Sequence, residues 1–128
     1  MGKLGWMNPK AAPEVQATRD DIIWAAGIYE GDGSCQRIGP GWKTGVGGST
    51  ERVRVTQKDT WLLHRLRYLF GGTIYKTNGY NKRWPNTSQG VWAISGARAR
   101  GFMMSIYGLM SPRRQEQIRR TMHIGEHK

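Results

Sequence analysis

The residues with the greatest capacity for chemistry in this 128-residue chain are two acids one glycine apart, in Glu30-Gly31-Asp32-Gly33. A carboxylate is the oxygen ligand that hard divalent cations take. The preceding residues 19–31 read as a helix, so Asp32 stands just past a helix C-terminus. The helix dipole disfavours an anion there unless a cation is close. That placement predicts a metal-binding acid, against the competing reading of an ordinary capped turn. A calcium EF-hand loop is excluded, because Cys35 and Gly41 stand where its obligatory glycine and bidentate glutamate belong.

The elements around this pair can be read in order. Thr18-Arg19-Asp20-Asp21 has capping-box form, a hydroxyl followed three residues later by a carboxylate. Gly31 and Gly33 stop the helix. Its middle, Ala25-Ala26-Gly27, is unusually small, and an interior glycine costs about 1 kcal/mol relative to alanine. Close approach of another helix backbone is the expected reason. Residues 34–38 are a short strand candidate. Thr50 to Thr56 alternates cleanly, Val53 and Val55 on one face and Arg52, Arg54 and Thr56 on the other. Asp59 caps an amphipathic helix to Phe70, with Leu62, Leu63, Leu66, Leu69 and Phe70 as its apolar stripe. Strands follow at 73–80 and 89–95, joined by the basic turn 81–87. A helix spans 97–110, and Pro112 opens a last one over 113–122.

Helix, hairpin, helix, hairpin, helix, helix predicts an α+β domain with one four-stranded antiparallel sheet, covered by helices on one face. The other face would carry Arg52 and Arg54 and, depending on phase, Lys76 and Asn78. An uncovered basic sheet face suits nucleic acid, since a β-ribbon can enter the major groove.

Composition agrees. The formal net charge of +11 argues for a polyanionic partner, nucleic acid ahead of an anionic membrane. No apolar run reaches the roughly 20 residues needed to span a bilayer, and no secretory leader is evident. Cys35 is the one cysteine, which leaves neither a disulfide framework nor a cysteine-based zinc site. His64 reads as a surface residue. The glycine-rich 45–49 lacks the Lys-Ser/Thr ending of a phosphate loop and is read as a hairpin turn. The expected organisation is a flexible basic arm over 1–18, a single domain over 19–122 and a tail over 123–128, in an intracellular protein.

Ala25-Ala26-Gly27-Ile28-Tyr29-Glu30-Gly31-Asp32-Gly33 resembles the LAGLIDADG motif of homing endonucleases. Ala25 replaces the usual leucine and Tyr29 an aliphatic residue. Val55-Thr56-Gln57-Lys58, Leu69-Phe70-Gly71-Gly72-Thr73-Ile74-Tyr75, Trp92-Ala93-Ile94-Ser95-Gly96 and Leu109-Met110-Ser111-Pro112-Arg113-Arg114-Gln115 also look like this family, so the resemblance runs from Asp20 to Ile118. It implies the αββαββα fold, with the sheet as a DNA-binding saddle. It also implies a homodimer, because members with one motif copy pair their motif helices at a two-fold axis. Ile23, Ala26, Gly27 and Glu30 would lie at that interface.

The resemblance further implies a site-specific double-stranded DNA endonuclease. It would hydrolyse a long near-palindromic site with Mg2+ or Mn2+ and leave 3′ overhangs, while Ca2+ would bind without cleavage. Asp32 and the Gly31 carbonyl would hold metal, Gln57 would position water, and Arg113 would stabilise the phosphate. Arg113 stands where a lysine is more usual, with Arg114 the alternative by a one-residue shift; an arginine stabilises charge but is a poor proton donor. DNA contacts would come from Arg52, Arg54, Thr56, Lys58, Lys76, Asn78, Gln36, Arg37, and Lys82 and Arg83 at a hairpin tip. An RNA-binding intron maturase and a non-catalytic DNA-binding protein are the alternatives on the same fold.

Overall fold

A computed structural model describes residues 11–39, 48–78 and 88–122. In chain order it places helix α1 at Arg19–Asp32, strands β1 at Gly33–Ile38 and β2 at Thr50–Gln57, and helix α2 at Thr60–Phe70. Strands β3 at Thr73–Asn78 and β4 at Ser88–Ser95 follow, then helices α3 at Ala97–Ile106 and α4 at Pro112–Met122. The strands form one antiparallel sheet in the order β1-β2-β4-β3. The α+β expectation and its strand count therefore hold.

Thr18 caps α1 in a complete capping box with Asp21. Asp59 occupies the cap position of α2 but makes no side-chain cap bond. The helix expected over 97–110 stops at Ile106 and tightens into a 3-10 turn over Tyr107–Leu109. Gly108 weakens the helix there, and the chain must leave it before Pro112, which has no N–H to continue one. Of the segment read as a flexible arm, residues 11–14 instead lie along the end of α2. Glu14 N donates to the Tyr68 carbonyl, and Gly72 N donates to that of Ala11. Residues 1–10 and the tail 123–128 lie outside the described residues.

The helices cover one sheet face and the core lies between. Leu63 and Leu66 of α2, Met103 and Ile106 of α3, Ile118 of α4, Val53 and Val55 of β2 and Trp92 of β4 are fully enclosed. Phe102 sits among Tyr29, Phe70 and Trp92, edge-on to all three, with centroids 5.0–6.0 Å away, a favoured aromatic geometry. Trp92 Nε1 donates to the Gly71 carbonyl at 2.8 Å, which satisfies the one polar atom the indole brings into the core. No helix among the described residues is long and apolar enough to cross a membrane.

Candidate active site and nucleic-acid face

Asp32 is the last residue of α1, and β1 starts directly after it. Gly33 pairs with Val55 across the β1–β2 ladder, so the residue before Gly33 meets the end of β2. Gln57 is that end, and its amide nitrogen donates to the Asp32 carboxylate. Asp32 is exposed. Two residues 25 apart in sequence thus meet because one ladder register places them there.

Gly33 has a steric role. An added Cβ would lie 2.1 Å from the Tyr29 ring, so the chain can turn from α1 into β1 over that ring only with glycine. Tyr29 is fully buried and its hydroxyl has no hydrogen-bond partner. Burial, and then the nearby Cys35 thiol, push its phenol far above the ordinary tyrosine range.

The second acid of the motif points elsewhere. The Glu30 carboxylate accepts from Ser111 N at 2.9 Å and Ser111 Oγ at 2.8 Å, at the start of α4. Those two bonds, followed by the Arg114 and Arg113 charges, hold its pKa below the usual carboxylate range. Arg114 is 8% exposed. It donates from Nε to the Glu30 carbonyl at 3.1 Å, and from one terminal nitrogen to the Gly33 carbonyl at 2.8 Å and Gln117 Oε1 at 3.1 Å. Its guanidinium lies 5.4 Å from the Tyr29 ring centre. Of the two arginines one residue apart, Arg114 is thus occupied by protein carbonyls, whereas Arg113 is exposed.

Among the described residues no three potential metal-ligating side chains cluster. With Glu30 engaged, Asp32 is the acid left facing solvent at this point. Magnesium is commonly held by one or two carboxylates with water and substrate phosphates completing the shell. One exposed carboxylate fits that requirement if phosphates and a second copy of the site supply the rest.

The sheet face opposite the helices follows from the ladder. Arg52, Arg54 and Thr56 of β2 lie on it, beside Gln36 and Ser34 of β1. Across β4 it continues through Ser95, Ala93, Val91 and Gln89 to Thr73, Tyr75 and Thr77 of β3. Among the described strand residues the only acid is Glu51, which is buried on the helix side. It is bound there by Arg37 at 3.3 Å and Arg100 at 3.0 Å. Burial raises the Glu51 pKa, but its own backbone amide and the two guanidiniums outweigh that and leave it below the ordinary range. Among the described residues the open face is consequently basic and free of acids, and Arg52 Nε is buried in it without a partner.

Two expected DNA contacts, Lys76 and Arg37, are placed differently. Lys76 lies on the helix side: it pairs with Gly90, whose added Cβ would meet Leu63 and Thr60 of α2. Ile74 sets that phase, because it enters the core opposite Trp92 and carries Lys76 to the same side. Arg37 also faces the helices, bonding Ser49, Glu51 and the Thr121 carbonyl. Lys58 is exposed beyond the end of β2. Lys82 and Arg83 lie outside the described residues, as does the side chain of Asn78. Tyr75, Thr77 and Gln89 lie on the open face although the sequence does not assign them, because only the pairing of Ile74 with Trp92 fixes the phase of β3.

Of the residues expected at a dimer interface, Ala26 is only 4% exposed and packs inside its own chain. Its small size serves the contact of α1 with the sheet and α3. Ile23 is 45% exposed, and Gly27 is exposed with no atom within 4 Å of where a Cβ would be. Trp61 of α2, missed in the sequence, is 55% exposed beside Trp24 of α1, ring centres 6.4 Å apart.

No protein-family sequence profile matches the chain, and no curated protein sequence does. Solved structures do match. The group I intron-encoded homing endonuclease I-CeuI, complexed with DNA, superposes with a TM-score of 0.61 at 17% identity, over 88% of this chain and 56% of that one. The homing endonuclease I-CvuI, in complex with its target in the presence of calcium, gives 0.57 at 16% identity, over 77% and 62%. The archaeal intron-encoded homing endonuclease I-Vdi141I, complexed with DNA, gives 0.56 at 17% identity, over 79% and 65%. The chain spans less than two thirds of the length of each. At such identities the likeness is one of architecture: this chain has the LAGLIDADG homing endonuclease fold.

Proposed function

We propose that the protein is a divalent-metal-dependent, site-specific DNA endonuclease that works as a homodimer on a long near-palindromic duplex and leaves 3′ overhangs. The observation that carries this is the Asp32–Gln57 contact at one end of a sheet whose open face holds Arg52 and Arg54 and no acid.

Phosphodiester hydrolysis needs an in-line water, neutralisation of the charge that builds on phosphorus, and stabilisation of the leaving 3′ oxygen. Asp32 and the Gly31 carbonyl would hold Mg2+ or Mn2+, which supplies Lewis acidity when bound. Helix-end carbonyls lack intrahelical donors, so Gly31 can offer its oxygen. Gln57, with one amide hydrogen on Asp32, orients the carboxylate and can hold water with its carbonyl. Arg113 follows on the exposed side of α4 as the phosphate-neutralising cation. Arg52, Arg54, Thr56 and Gln36 contact base edges and phosphates in the groove. The exposed Ile23, Gly27 and Trp61 form the surface on which a second copy packs.

Incubation of wild type and Asp32→Asn with randomised duplex libraries, with and without Mg2+, tests this reading. Metal-dependent double-strand cutting by wild type alone is expected. A wild type that retains duplexes but never cuts them would refute the enzyme reading. A preference for folded RNA over duplex would point to splicing instead.

A further inference from the structure

The buried guanidinium of Arg114 has no place in the chemistry above, yet it touches the backbone on both sides of Asp32. We infer that Arg114 is a positioning residue that fixes the turn carrying Asp32 and sets that turn relative to α4. This rests on the proposed role of Asp32.

The last carbonyls of a helix have no intrahelical donor and must find one. Asp32 lies in that last turn, so its direction depends on how those carbonyls are held. Arg114 Nε takes the Glu30 carbonyl at 3.1 Å, and one terminal nitrogen takes the Gly33 carbonyl at 2.8 Å. A single planar fork thus spans from two residues before Asp32 to one after it. The fork is itself immobilised, by Gln117 at 3.1 Å and by the Tyr29 ring against which Gly33 is pressed.

The connection also closes on itself. The Glu30 carboxylate takes the amide and hydroxyl of Ser111, and Ser111 Oγ accepts from Arg114 N at 3.3 Å, capping α4. The end of α1 and the start of α4 are thereby joined through both the side chain and the backbone of Glu30. Arg113 is one residue from Arg114 on α4. Its placement relative to Asp32 is then set by the same join.

Geometry of this rigidity matters because a misplacement of about 1 Å can cost on the order of 10²-fold in rate. A lysine is a compact point charge and does not reproduce a planar two-carbonyl fork. Arg114→Lys should therefore recover only part of the function of Arg114.

The test compares Arg114→Met, Arg114→Lys and a core control, Ile118→Val, in two readouts. The first is backbone amide exchange along the whole chain. In Arg114→Met, exchange at Gly31, Asp32 and Gly33 should rise at least about tenfold while β2 and β4 keep wild-type protection. Arg114→Lys should fall between, and Ile118→Val should leave that turn unchanged. If Arg114→Met does not fold, Arg114→Lys decides the matter alone. The second readout is single-turnover cutting of a selected duplex in Mg2+ against its binding. Binding should stay within about threefold, with cutting by Arg114→Met down on the order of 10²-fold. Unchanged exchange at the turn, acceleration spread evenly through the chain, or an equal loss of cutting in Ile118→Val would overturn the inference. A wild type that cuts no duplex refutes the endonuclease reading, while the exchange readout still decides the role of Arg114.

Discussion

At the scale of single residues, Asp32, Glu30 and Gly33 have three separate jobs although the motif sets them side by side. Asp32 is exposed and held by Gln57, Glu30 is bonded to the cap of α4, and Gly33 makes room for the Tyr29 ring. Gly33→Ala forces a Cβ to 2.1 Å from that ring. Overpacking of this kind should lower stability by roughly 1–3 kcal/mol, read from the denaturant midpoint. Tyr29→Phe removes a buried hydroxyl that has no partner. It should be neutral or stabilising by up to about 1 kcal/mol, because no other group is orphaned. The Glu30 pKa is depressed in the folded state, first by the two Ser111 bonds. Its contribution is therefore fully present above the unfolded carboxylate value of about 4.3 and is lost as pH falls through the lower folded value. Wild type should lose stability on acidification below that point, and Glu30→Gln should show a shallower acid dependence, both measured by thermal melts across pH. The sequence exposed these residues as a group and predicts chemistry for Asp32. It did not distinguish the bonding of Glu30, because its Ser111 partner is 81 positions away.

At the scale of elements, legibility followed the strength of alternation. In β2, Val53 and Val55 alternate with Arg52 and Arg54, so a half-buried strand with a basic face was readable directly. In β3 the run Thr-Ile-Tyr-Lys-Thr-Asn offers two apolar neighbours, Ile74 and Tyr75, and either could face the core. Only pairing with Trp92 selects Ile74 and sends Lys76 to the helix side. The two strands therefore predict opposite results for cations of equal charge. Arg54→Gln should change preference at particular base pairs by about 1–3 kcal/mol, read by site selection. Lys76→Gln should leave the selected sequence unchanged. A matching loss of base preference in Lys76→Gln would mean that DNA does not lie on the open face. Arg37 behaves likewise: it was one more strand cation in the sequence, and Glu51 claims it in the fold.

At the scale of the whole molecule, the excess of cations and the bare sheet face have one explanation if a polyanion covers that face. With a net charge of +11 and no acid among the described residues of that face, binding to duplex should weaken steeply with salt. Arg54→Gln should reduce the slope of log affinity against log salt by about 1 if its contact is to phosphate, and by less if it is to a base edge. The element order was legible because α1 announces its capping box, α2 its apolar stripe, α4 its opening proline and β2 its alternation. Which face of α1 is open to a partner was legible only in part. Small size marked Ala26 as well as Gly27, yet Ala26 is consumed within the chain's own core while Gly27 and Ile23 face outward. Two copies related by a two-fold axis would present two Asp32 turns to the two strands of one duplex, which demands symmetric cuts. Mapping both cut ends on a duplex selected in Mg2+ tests this most directly. Staggered cuts placed symmetrically about a sequence dyad, with 3′ overhangs, are expected, absent without metal and absent in Asp32→Asn. Asymmetric nicks, or cuts that persist in Asp32→Asn, would contradict it.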